Sequence, residues 1–171
     1  MIYQSPAKIN LFLHVISKRD DGYHNLQTIF QLLDFGDELR FNIRSDGDIV
    51  RIYGNENIPQ EQDLIIQSAY KLKARFSCSF GADIGVKKNI PPGGGLGGGS
   101  SNAATTLIAL NQLWNLKLTK KELVSIGKEL GADVPVFIEG RSSWAEGIGE
   151  ILTPLNLPCL LYTSPSPRDR G

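Results

Sequence analysis

The chain has 171 residues, 41% apolar and 21% charged, with 18 basic side chains balanced by 18 acidic ones. That composition fits one globular domain, and zero net charge excludes the electrostatic footprint of a nucleic-acid or anionic-membrane binder, so any anion site has to be local. Cys78 and Cys159 lack metal-ligand spacing and read as reduced thiols. No secretory pattern opens the N-terminus, and no apolar run approaches the roughly 20 residues that span a bilayer.

The first half reads as β structure. Ile9, Leu11, Leu13 and Val15 alternate with Lys8, Asn10, Phe12 and His14 at strand period. The turn Lys18-Arg19-Asp20-Asp21-Gly22 follows, then an apolar stretch from Leu26 to Leu33. Two strands are expected at Glu38–Arg44 and Asp48–Tyr53 around Ser45-Asp46-Gly47. Ile65, Ala69, Leu72 and Phe76 share one face of a helix predicted over Leu64–Phe76. Ala82–Lys88 alternates again. Ala103, Leu107, Leu110 and Trp114 predict a second helix, and Thr119-Lys120-Lys121-Glu122 is a capping box opening a third, which Gly131 is placed to end. Val134–Ile138 and Ser142–Glu146 read as short strands, so the class is α+β. The pattern runs over residues 1–158. Residues 159–171, CLLYTSPSPRDRG, carry no continuing periodicity and read as translated adaptor sequence or a flexible tail.

The most informative segment lies between the fourth strand and the second helix. Pro91 opens it, and Gly93, Gly94, Gly95, Gly97, Gly98 and Gly99 surround Leu96 before Ser100 and Ser101. Without Cβ atoms, backbone N–H groups can curl closely around a phosphate. A helix N-terminus adds unpaired donors and partial positive charge. The serines add hydroxyl donors, or a ligand for magnesium. A flexible linker is the plain alternative, but linkers do not run into a periodic apolar helix. No lysine follows the glycines, so the Walker pattern is absent. Gly93, Gly95 and Gly98 satisfy GxGxxG, but the acidic residue a dinucleotide site wants some 20 positions on is replaced by a helix start.

Three separated motifs carry a more specific likeness. They are Ser5-Pro6-Ala7-Lys8-Ile9-Asn10-Leu11, Asp21-Gly22-Tyr23-His24 and Leu130-Gly131-Ala132-Asp133-Val134-Pro135, in that order around the glycine loop. Together they resemble the GHMP kinases over about residues 2–158, and within them the kinases of 4-diphosphocytidyl-2-C-methylerythritol. The resemblance implies the ribosomal S5-domain-2-like α+β lobe that binds ATP, followed in relatives by a second lobe absent from these residues. It implies ATP-dependent phosphorylation of the 2-hydroxyl of that cytidine diphosphate compound, on the non-mevalonate route to isoprenoid precursors, with magnesium accompanying the nucleotide. A bacterial cytoplasm is the expected setting.

By the same resemblance, Lys8 stands beside the acceptor hydroxyl and the γ-phosphate, and Asp133 is the base. Asn10, Tyr23 and His24 hold the substrate, with Tyr23 stacking on its cytosine. Pro91, Gly93–Gly99, Ser100, Ser101, Lys88 and Asp63 line the ATP site. From the residues alone, Lys8 reads as a solvated edge lysine, Asp133 as a turn residue, Tyr23 as packing and Asp63 as an N-cap. Two rivals remain: a GHMP kinase with another small acceptor, and a non-catalytic fragment that binds nucleotide.

Overall fold

The computed structural model describes residues 1–20, 22 and 24–157. Residues 159–171, read above as adaptor or tail, lie outside them. Alternation produces six strands, named here β1 (Ile2–Lys18), β2 (His24–Arg44), β3 (Ile49–Tyr53), β4 (Gly81–Lys87), β5 (Ser143–Glu146) and β6 (Ile151–Pro154). The helices among the described residues are α1 (Leu64–Phe76), α2 (Gly98–Leu113), α3 (Lys120–Lys128) and α4 (Val134–Glu139), with a 3₁₀ turn at Gln60–Gln62. The α+β class follows.

The apolar stretch at 26–33 and the strand expected at 38–44 are one strand of 21 residues, β2, on which the sheet is built. β1 runs antiparallel along one edge of it, while β4 pairs with Glu38–Arg44 and β5 with Thr28–Phe30. β3 joins β4 in parallel and β6 joins β5, so the order is β3-β4-β2-β5-β6 with β1 beside β2. The ladder between β1 and β2 is interrupted between Pro6 and Lys8, between Asn10 and Leu13, and a third time between Val15 and Ser17.

Helix α2 is the centre of the second layer. It packs on β1 and β2 and is flanked by α1, α3 and α4. Its small residues Ala103, Ala104 and Ala109 and its leucines Leu107 and Leu110 are buried against Leu39, Phe41, Ile84 and Val86 of the sheet. A helix buried on several faces is expected to be rich in small and apolar residues all round, as this one is. Trp114 closes it by donating its indole N–H to the Gly81 carbonyl at 3.2 Å.

Two expectations change. Val134–Ile138 forms helix α4, not a strand. A five-residue apolar run does not distinguish the two by period, and Pro135 in the first turn and Gly140 at φ 70° set a helical start and stop. The stripe Leu11, Leu13, Val15 is exposed by about half, while Lys8 is 6% exposed. The period was legible, but burial does not follow it: Ala7 and Lys8 are both buried, and from Asn10 on both sets are exposed except the half-buried Phe12.

Asp37 ties this architecture together and is fully buried. Its Oδ1 accepts the backbone N–H groups of Asn89 (2.7 Å) and Ile90 (2.8 Å), and its Oδ2 accepts Asn102 Nδ2 (2.9 Å) and the Lys88 ammonium. One carboxylate thus joins β2, the segment leaving β4 and the first turns of α2. Asp37→Ala leaves four donors without this acceptor, two of them in buried bonds, and is expected to cost about 3 kcal/mol. Urea unfolding with an unchanged slope and a lowered midpoint is the check; a midpoint within error of wild type rules the role out.

The capping box of α3 forms as expected, with Thr119 and Glu122 exchanging bonds. The Thr119 hydroxyl and backbone N–H hold the Glu122 carboxyl below its ordinary value of 4.5. A depressed acid stabilises the fold above its unfolded value and loses that contribution as pH falls through the folded one. Thr119→Ala, which removes both the N-cap bond and this contact, is therefore expected to lower stability at neutral pH. The gap from wild type should narrow in thermal melts taken below pH 4.5; a gap that stays constant refutes the linkage.

Candidate nucleotide cleft and ion pair

A cleft of about 580 Å³ lies between the start of α1, the loop at 55–58 and the glycine segment. Its walls include Leu64, Ile65, Ile90 and Leu96, and its polar groups include Asn55, Lys88 and Asn102. The volume is within the usual range of small-molecule sites. Gly93, Gly95 and Gly97 take φ of 76°, 69° and 73°, a region that only glycine occupies without strain. At Gly93 and Gly95 a Cβ would project into open space, whereas at Gly97 it would lie 2.8 Å from the Phe137 ring and 3.2 Å from Lys8 Cε. Space is therefore the reason for glycine only at the third of these.

The loop is held at both ends. Asp37 fixes Asn89 and Ile90 at its start. Near its far end the Leu96 carbonyl accepts the Lys8 backbone N–H at 3.0 Å. Gly97 is the N-cap of α2 and has no side chain to cap it, while Asp63 caps α1 and Thr119 caps α3. The first-turn N–H groups of α2 are thus left to an outside acceptor.

On the other side of Gly97 stands Lys8. Its Nζ donates to Asn10 Oδ1 at 2.6 Å, lies 3.3 Å from Asp133 Oδ2, and sits 5.0 Å from the centroid of the Phe30 ring. A buried ammonium with these three neighbours is satisfied without water. Asp133 precedes α4, makes no capping bond with its side chain, and is about one-third exposed. Its carboxylate is therefore available from solvent beside a fixed positive charge.

The sequence-derived site residues separate in the structure. Lys8, Asn10 and Asp133 come together, and Pro91, Gly93–Gly99 and Lys88 line the cleft. Asp63 borders the cleft, but both its oxygens are engaged: Oδ1 accepts Ile65 N–H at 2.9 Å, and Oδ2 accepts Arg51 at 3.0 Å and Asn55 at 3.1 Å. Its N-cap reading describes those contacts. Ser101 is a correction. Its hydroxyl is fully buried, donates to the Pro6 carbonyl at 2.6 Å and accepts from Ser5 at 2.8 Å, so it braces α2 against β1. Ser100 is partly exposed. His24 is exposed at the start of β2, four residues before Thr28, and Tyr23 lies outside the described residues. The sequence reading missed Asp37, Asn102, Asn55 and Glu56. The Glu56 carboxyl is held below the ordinary range by its own backbone N–H and that of Gly54.

Comparison with known proteins bears on the family and the fold. The profile for the GHMP kinases N terminal domain matches residues 63–141. The chain is 61% identical over 158 residues to the 4-diphosphocytidyl-2-C-methyl-D-erythritol kinase of Ruthia magnifica subsp. Calyptogena magnifica, an alignment covering 92% of this chain and 55% of that protein. It thus spans little more than half the length of this relative. Among solved structures, a 4-(cytidine 5'-diphospho)-2C-methyl-D-erythritol kinase superposes with a TM-score of 0.81 at 39% identity, over 92% of this chain and 56% of that one. The mevalonate kinase of Methanococcus jannaschii superposes at 0.67 with 14% identity, over 91% and 56%, and so shares the fold alone. The chain belongs to the GHMP kinases, and its sheet with one helical layer is their N-terminal lobe.

Proposed function

We propose that the chain is the nucleotide-binding lobe of a kinase that transfers the γ-phosphoryl group of ATP to the 2-hydroxyl of 4-diphosphocytidyl-2-C-methyl-D-erythritol, in the cytoplasm, on the way to isoprenoid precursors. The observation that carries this reading is the Lys8–Asp133 pair set against Gly97, where the glycine-lined cleft meets the start of α2. The identity to relatives of that name supports the choice of acceptor.

In this reading the polyphosphate lies on the N–H groups of residues 93–100, and Leu64, Ile65 and Ile90 supply apolar contact to the base. Asp133 orients the acceptor hydroxyl and takes its proton, a role that needs an exposed carboxylate. Lys8 holds that carboxylate in place and faces the charge that develops on the transferring group. Among the described residues no cluster of three or more acidic, histidine or cysteine side chains could hold a metal. Magnesium would accordingly arrive on the phosphates, with Ser100 as the hydroxyl ligand available. When bound it neutralises phosphate charge. His24 and Tyr23 would receive the cytosine: His24 is four strand residues, roughly 13 Å, from the Thr28 that touches Asn10.

Calorimetry of the 171-residue chain with magnesium and ATP is expected to show binding in the micromolar range. No heat at millimolar nucleotide removes the cleft from the mechanism. Joined to the C-terminal half of the Ruthia magnifica relative, the chain is expected to release ADP with the cytidyl compound and not with mevalonate. The reverse preference sinks the acceptor assignment. In that joined enzyme Asp133→Asn should lower kcat by about 10²–10⁴-fold with ATP affinity nearly unchanged; undiminished turnover removes Asp133 as the base.

A further inference from the structure

The second interruption of the β1–β2 ladder is a bulge. Asn10 pairs with Phe30 and Leu13 with Thr28, so two residues of β1, Leu11 and Phe12, oppose the single residue Ile29. Such a bulge takes a backbone carbonyl out of ladder register. Here it is that of Phe12, and the Thr28 hydroxyl donates to it at 2.5 Å. Thr28 is fully buried, so bulk water does not compete for its hydroxyl.

A direction follows along the chain of bonds. A carbonyl only accepts, so the Thr28 proton is committed to Phe12. Thr28 Oγ1 is then left as an acceptor, and Asn10 Nδ2 donates to it at 2.8 Å. With its nitrogen fixed, the Asn10 carboxamide must turn its oxygen to Lys8, whose Nζ donates to Oδ1 at 2.6 Å and stands 3.3 Å from Asp133. Asn10 itself is exposed. Without an anchor its amide is free to rotate in water, and the flipped form would set an NH₂ group against the Lys8 ammonium.

We propose that Thr28 is a positioning residue: its buried hydroxyl selects the one orientation of Asn10 that holds Lys8 beside Asp133. Its relevance to catalysis rests on the reading of Lys8 and Asp133 as the reacting pair. Thr28 touches no substrate in this scheme. It works through Asn10, and the bulge in β1 supplies the carbonyl that orients its proton.

The test uses the 171-residue chain and the variants Thr28→Val and Thr28→Ser. Valine keeps the β-branched shape and strand preference but removes both hydrogen bonds. In the wild-type chain, NMR should show slow exchange of the Asn10 Nδ2 protons and their contact with the Thr28 methyl. Absence of both in wild type overturns the proposal, whether or not the valine variant folds. In Thr28→Val the Asn10 protons should exchange at least about tenfold faster, and in Thr28→Ser protection should return to within about threefold of wild type. Unchanged exchange in the valine variant overturns it. In the joined two-lobe enzyme Thr28→Val should lower kcat by about 10²-fold while the KM for ATP stays nearly constant. Wild-type kcat in a valine variant whose Asn10 has lost protection overturns the positioning role of Thr28, while the reading of Lys8 and Asp133 stands or falls separately with Asp133→Asn.

Discussion

The convergence of four donors on the two oxygens of Asp37 is the constraint on which the cleft depends. The segment 88–90 has left β4, and no ladder reaches it, so its N–H groups need an acceptor brought to them. Asp37 provides one from the middle of β2 and at the same time binds Asn102 in α2. Burying a carboxylate costs several kcal/mol unless it is paired and fully hydrogen-bonded, and both conditions are met here. Gly36 permits it: a Cβ there would lie 2.2 Å from the Ser5 carbonyl oxygen, so β1 and β2 approach at that point only because the side chain is missing.

From that fixed point the glycine loop acquires its form. One end is set at Ile90 by Asp37 and the other at Leu96 by the backbone of Lys8. The Lys8 bond is available because the ladder breaks between Pro6 and Lys8, which frees the Lys8 N–H from β2. The loop is therefore clamped at its ends and open in its middle, where Gly93 and Gly95 have no neighbour to meet. An anion cradle gains from such an arrangement, since the donors need little reorganisation when the ligand enters. The first two of the three ladder breaks in β1 share one outcome: each releases a backbone group that then places part of the ion-pair site.

Much of this was legible in the sequence. Helices α1 and α3 followed from apolar spacing and from the Thr119–Glu122 box, and the cleft followed from the glycines. The Lys8, Asn10 and Asp133 grouping came from resemblance and not from pattern, because residues 8 and 133 are far apart in sequence. Asp37 and Thr28 gave no signal. Each is a single polar residue within a long strand, and its importance depends on where bulges fall, which alternation does not disclose. Ser101 was misread for a related reason. A serine at a helix start suits a phosphate or a neighbouring strand equally, and only packing against Pro6 decides between them.

Strand β1 shows how far the site overrides the usual partition. It buries an ammonium at Lys8 and exposes Leu11, Leu13, Val15 and Ile16 by half or more. Each choice runs against transfer free energy, by roughly 1.5–3 kcal/mol for each large apolar side chain left in water. The first half of the strand has a helical layer above it and turns its polar groups inward, where Asp133, Asn10 and the Phe30 face receive the charge. The second half, residues 13–18, is exposed throughout. A strand selected for core stability would place Leu11 and Leu13 where α2 can cover them. Instead its bulge falls between Asn10 and Leu13, where it frees the Phe12 carbonyl for Thr28. Local rules of this kind are broken at functional sites and compensated elsewhere, and here the compensation is the apolar packing of α2 on β2 and β4.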